Sequence, residues 1–217
     1  MSDRSLLKKE LLKQNWFGLL DKLQGNLSLS KTVFDELITA HTNSARYYHN
    51  LNHVWHLLTL ANSIEAIAKY PSAIELAAWF HDYVYDPQAK DNEVKSAMYA
   101  EETLTKLNID SNLIDLVKQI ILSTQKHQPL LDSIDNLLFL DLDLSILGAS
   151  GDRYWQYAAD IRKEYSWLGD RDYQLGRKQV LTSFLARGRI YYTDYFYQRL
   201  EHQARDNLVK EIESLSG

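Results

Sequence analysis

The chain predicts an all-α fold, and three observations carry that prediction. Apolar residues recur three and four apart along nearly the whole sequence, the stripe of helices packed on one face. No segment alternates apolar and polar residues between hairpin turns. Only three prolines and eight glycines interrupt 217 residues, so regular structure should run long between few breaks. The length suits one domain, and residues 1–217 are expected to form a single helical bundle.

The elements follow in order. Leu6, Leu7, Leu11, Leu12, Trp16, Leu19, Leu20 and Leu23 form a stripe, so 1–24 reads as an amphipathic packing helix. Gly25 and Asn26 break it, and Ser30 is the candidate N-cap of a second helix through Val33, Phe34, Leu37 and Ile38. A third helix should run from about Tyr48 to Lys69. Pro71-Ser72 with Glu75 looks like a capping box opening a very apolar helix that leads into His81-Asp82. Asp86-Pro87 marks a loop, and Asp91 is placed to cap the helix carrying Val94, Met98 and Leu104. Asn108 ends that helix, Ser111 starts the next, and Pro129 closes it. Helices at roughly 135–148, 152–167, 171–187 and 190–213 complete the chain.

Composition narrows the function. With 45% hydrophobic and 24% charged residues the chain is an ordinary globular one. It has no cysteine, which removes disulfides, thiolate metal sites and cysteine nucleophiles together. A formal net charge of −5 argues against a duplex nucleic-acid surface, though a local basic pocket for a phosphate is still compatible with it. The N-terminus reads as a helix rather than a signal peptide, no stretch is apolar enough for a bilayer, and the expected location is the cytoplasm. The N-terminal helix would serve packing or homodimerisation equally well.

Four of the seven histidines fall in two places: His49, His53 and His56 together, and His81 beside Asp82. His49 and His53, four apart, would share one helical face, and Arg46 joins them if the helix extends back to it. Asp82 follows a run of buried-type residues, where an ionised carboxylate is costly unless paired or bound to a cation. A histidine pair four apart is commonly surface chemistry, and a His-Asp dipeptide is common by chance. The ordered combination, with a distant aspartate in an apolar helix, is what points to a metal. His41 and His202 read as surface residues.

Tyr48-His49-Asn50-Leu51-Asn52-His53 followed by Phe80-His81-Asp82 resembles the HD superfamily of metal-dependent phosphohydrolases. The YHN-x-x-H run is similar to the signature of cyclic nucleotide phosphodiesterases, as is Ile121-Leu122-Ser123-Thr124 with His127. The run, the HDYVYDP stretch, Asn92-Glu93 with Ser96-Ala97, and the DLDLSILG stretch also resemble a group of small bacterial predicted HD phosphohydrolases. The likeness spans about 46–190, the motif-bearing core of an HD-type domain. It implies a metal held by His53, His81, Asp82 and Asp143, with Asp141 the competitor for the last place. Two positions on a helix differ by about 200° of rotation, so both cannot face one ion. The residues after Asp143 match the family pattern better.

Two imidazoles and two carboxylates suit manganese, iron, cobalt or zinc, and magnesium where waters fill positions. The resemblance implies hydrolysis of a phosphate ester of a nucleotide or other small phosphorylated metabolite. It makes His49 the acid for the leaving oxygen; the plainer reading has it hydrogen-bond a ligand. Arg46, Lys126 and His127 are candidate phosphate contacts, against the plainer reading of surface cations. Arg187 and Arg189 resemble a family element whose simpler reading is a structural salt bridge. Two other classes stand beside the enzyme: a regulator binding metal or nucleotide without turnover, and an iron oxygenase. The oxygenase is disfavoured because only His127 lies between the His-Asp pair and the last aspartate.

Overall fold

The computed structural model describes residues 3–215, with side chains from Leu6 onward; Met1 and Ser2 of the predicted first helix lie outside the described residues. Those residues form ten α-helices and one 3₁₀ turn, with no strand. The helices are α1 (Asp3–Lys22), α2 (Leu27–His41), α3 (Leu51–Ile64), α4 (Pro71–Phe80), α5 (Asn92–Lys106), α6 (Ser111–Thr124), α7 (Ile134–Asp143), α8 (Gly151–Glu164), α9 (Asp170–Leu185) and α10 (Asp194–Ser214). The 3₁₀ turn, Leu144–Gly148, follows α7 directly. The chain divides into two compact units, residues 1–139 and 140–217.

In the first unit α4 is the hub, packing against α3, α5 and α6, while α1 packs on α2. The second half of α4 is that of a core helix: Leu76, Ala77, Ala78, Trp79 and Phe80 are all at most 1% exposed. Trp16 of α1 meets Trp79 and Phe80 at ring distances of 5.7 and 6.0 Å, and Phe34 of α2 meets Trp79 at 6.0 Å. Trp79 also donates from Nε1 to Asn15 Oδ1 at 3.0 Å, so its polar edge is satisfied. The rigid aromatic centre therefore lies directly before the His-Asp pair.

Helix starts correct several expectations. Asn26, not Ser30, caps α2, its side chain accepting from Ser28 N; Ser30 lies inside the helix and donates to Leu27 O. Asn50 caps α3 and accepts from Asn52 N, so the helix starts at Leu51 rather than Tyr48. No capping box opens α4. Pro71 is its first residue and no side chain caps it; Asp135 of α7 fixes the approach to the helix, Oδ1 accepting from Lys69 N and Tyr70 N at 2.8 and 2.9 Å. Glu75 instead accepts from Asn15 Nδ2. In α1 the stripe is buried only from Leu12 on; Leu6, Leu7 and Leu11 are exposed. Asn108 does end α5, in the left-handed region at φ 60°, a conformation asparagine tolerates.

In the second unit α10 packs against α9 and the 3₁₀ turn, and α8 packs on the same turn. Gly148 is required there, because a Cβ would come within 2.6 Å of Leu200 Cβ and 2.9 Å of Leu200 O. Asn207 fastens the contact, donating from Nδ2 to Leu147 O and Ala149 O. Arg189 makes the structural ion pair, 2.7 Å to Asp194, and lies over the Tyr197 ring; Arg187 lies over Phe184. No helix among the described residues is long and apolar enough to cross a membrane.

Candidate metal centre

Helix α4 delivers its last turn to the site. His81 is the C-cap residue, its N–H still donating to Ala77 O, and Asp82 follows in the turn beyond. His53 comes from the first turn of α3. The two imidazoles are 2% exposed and their Nε2 atoms lie 3.2 Å apart. Asp82 Oδ2 lies 3.0 Å from His81 Nε2 and 3.7 Å from His53 Nε2. That oxygen is buried, yet it makes no hydrogen bond of proper geometry with either ring. Three ligand-type atoms thus converge on one point, the arrangement a cation completes. His53 and His81 belong to a buried group able to hold a metal ion.

Burial alone would raise the Asp82 carboxyl, but positive charge on His81, His49 and His53, with His81 nearest, holds it well below the usual carboxylate range. The carboxylate is therefore anionic and ready to ligate at neutral pH. Its side chain keeps 17% of its surface open, against 2% for each imidazole.

His49 is not on the helix with His53. It precedes the Asn50 cap, so the shared-face reading is overturned; the cap turn itself folds the ring back. Asn50 Nδ2 donates to Tyr47 O at 2.6 Å, and the His49 ring lies 5.9 Å from the His53 ring. Tyr85 stacks on His49 at 4.2 Å with 27° between planes, and Tyr48 meets it edge-on at 5.0 Å. Arg46 also lies off the helix, its guanidinium directed at the carbonyls of His49, Asp82 and Tyr83. Lys126 and His127 lie in the turn after α6, whose Gln125 donates to Lys90 O; His127 has φ 45°.

The two aspartates of α7 differ. Asp141 is fully buried, with Oδ1 accepting from Tyr192 N and Oδ2 from Thr193 N and Thr193 Oγ1, all at 2.6–2.7 Å. These bonds fix the two residues that lead into α10, whose N-cap is Thr193. Burial nonetheless pushes the Asp141 carboxyl up to about 6. Asp143 is half-buried and lies one turn beyond Phe139 on α7. Phe139 packs edge-on against His81, with ring centres 5.5 Å apart.

His41 corrects the sequence reading outright. It is 1% exposed, not a surface residue; Nε2 faces Trp79 O and Nδ1 faces Arg46 Nη1, each at 3.3 Å. Burial and the adjacent Arg46 guanidinium lower its pKa to about 3. The folded value lies below the unfolded one of about 6.5, so this stabilisation is whole above that pH and fades as pH falls towards 3. Between pH 7 and pH 5 urea unfolding should lose up to about 2 kcal/mol through this group. His41→Gln should be correspondingly less pH-dependent, and equal slopes for both proteins would refute the assignment. His202, by contrast, is exposed as expected.

Sequence reasoning also missed Tyr85, Tyr83 and Ser96. Ser96 accepts from Val84 N through Oγ, and Tyr83 stacks on Tyr99 at 3.6 Å, so α5 braces the turn after Asp82. The HDYVYDP stretch and the NE-x-x-SA element were the available signals. No family model, curated protein or solved structure matches the chain.

Proposed function

We propose that the chain is a metal-dependent phosphohydrolase of the HD type, acting on a nucleotide or other small phosphorylated metabolite. The observation that carries the reading is the buried convergence of His53 Nε2, His81 Nε2 and Asp82 Oδ2 beside the His49 ring. Asp143 is proposed as the remaining ligand. The sequence supports it, since the residues after Asp143 match the resembled pattern better than those after Asp141. Asp141, with both oxygens engaged at the start of α10, is the weaker claimant.

The donor set fits manganese, iron, cobalt or zinc, and magnesium with added waters. A divalent ion there would lower the pKa of a bound water towards ~7 and offset charge on the phosphoryl oxygens. His53, His81 and Asp82 would hold the ion, and the buried packing at the end of α4 fixes the backbone that carries His81 and Asp82. His49, on which Tyr85 stacks, would give a proton to the leaving oxygen. His49→Ala should therefore lower kcat by about 10²–10⁴ while leaving the metal content unchanged. A parallel fall in bound metal would instead make His49 part of the ligand scaffold.

Metal analysis of the purified protein followed by a nucleotide and sugar-phosphate screen tests the reading. Metal-stimulated release of phosphate or alcohol is expected. A metal-loaded protein that binds nucleotide tightly without turnover would assign the site to a regulator.

A further inference from the structure

We infer that Arg46 is a positioning residue held in place by His41, rather than a clamp for the substrate phosphate; the inference rests on the proposed metal-dependent reading. One guanidinium gathers three carbonyls from two distant stretches of chain. Nη1 donates to Asp82 O at 2.5 Å and reaches His49 O at 3.3 Å, and Nη2 donates to Tyr83 O at 2.8 Å. Asp82 is the proposed carboxylate ligand and His49 the proposed acid. Their backbones lie past a helix end and before a helix start, where neither has a helical ladder to fix it. The arginine supplies that missing frame. It sits at the C-terminal end of α4, the end of a helix that favours a cation.

The same side chain orders the aromatic support of the acid. Its Cζ lies 5.5 Å from the centre of the Tyr85 ring, and Tyr85 stacks on His49. An arginine that clamps a phosphate needs its paired donors aimed at open space. Here Nη1 and Nη2 are directed at backbone carbonyls of the protein itself.

His41 sets the other side of the arrangement. Guanidinium nitrogens only donate, so Nδ1 of His41 must accept from Arg46 and the ring proton must sit on Nε2, facing Trp79 O. The neutral ring thus links the last turn of α4 to the arginine. A positively charged ring would set two cations against each other. Arg46→Lys keeps the charge but cannot span three carbonyls with a planar fork.

The test measures Mn²⁺ affinity by calorimetry, kcat and KM, and inhibition by inorganic phosphate. It uses wild type, Arg46→Lys, His41→Leu and His41→Gln, each checked for helix content by circular dichroism. We expect Arg46→Lys to weaken Mn²⁺ binding by about 10–100-fold and to lower kcat, with KM and phosphate inhibition little changed. His41→Leu should move the same way by less. His41→Gln, which can both accept and donate, should recover most of the loss. Unchanged Mn²⁺ affinity in Arg46→Lys with raised KM and weakened phosphate inhibition would overturn the inference in favour of a clamp. If Arg46→Lys fails to fold, the two His41 variants decide, and equal Mn²⁺ affinity in both contradicts the inference. The metal arm reads without turnover, so a wild type that binds Mn²⁺ yet hydrolyses nothing would defeat only the enzymatic reading. A wild type that binds no Mn²⁺ would defeat both.

Discussion

Asp82→Ala should abolish tight binding of divalent metal and, with it, hydrolysis. Two imidazoles and the proposed Asp143 alone make a poorer site for a hard or borderline divalent cation, because the lost anionic oxygen offsets much of the ion's lost hydration. Removal of a supporting residue commonly costs about 10–100-fold in metal affinity, and a ligand carboxylate should cost more than about 100-fold. The position makes the loss selective. Asp82 lies in the turn after α4, outside the aromatic packing of Trp79 and Phe80, so the helix should survive the change. Asp82→Asn keeps the shape and removes the charge, and it should fall between wild type and alanine. Calorimetric titration with Mn²⁺, alongside circular dichroism, measures both. Full metal affinity in a folded Asp82→Ala protein would remove the carboxylate from the site.

The second large effect lies in the 140–217 unit and concerns stability alone. Arg177 of α9 and Glu211 of α10 form a fork-to-fork pair, Nε to Oε1 at 2.8 Å and Nη2 to Oε2 at 3.1 Å, with side chains only 7% and 3% exposed. Tyr154 of α8 donates its hydroxyl to Glu211, and Arg177 Nη1 reaches the Tyr157 hydroxyl. Three helices are thereby joined through one buried charge pair. Glu211→Ala should destabilise this unit by about 3–5 kcal/mol, because it strands a guanidinium out of water. Replacing both partners, as in Arg177→Met with Glu211→Leu, should recover most of that loss, since no charge is then left uncompensated. Urea titrations of wild type, single and double variants check the pair. A double variant no better than Glu211→Ala would mean that packing, not charge, sets the cost.

What could be read from the sequence was what local pattern encodes. The helical class followed from three-and-four spacing, and His53, His81 and Asp82 stood out as an ordered combination in which a carboxylate behind an apolar helix is costly unless paired or bound to a cation. What could not be read depended on partners far away in sequence. The approach to α4 is fixed by Asp135, 65 residues beyond Tyr70, while Pro71-Ser72 and Glu75 offer a plausible local capping box that does not form. His41 looks like a surface histidine because its burial depends on Trp79 and Arg46, which only the fold brings to it. His49 draws attention through a helical face it does not occupy; a capping turn, not helix periodicity, brings its ring near His53. Leu6, Leu7 and Leu11 continue the stripe of α1 in sequence but stay exposed.

Anomalous diffraction from crystals equilibrated with Mn²⁺ addresses the central claim most directly. The account predicts one strong peak within ligand distance of both His53 Nε2 and His81 Nε2, with an Asp82 oxygen in its shell. A peak located elsewhere, or none at saturating Mn²⁺, would contradict it.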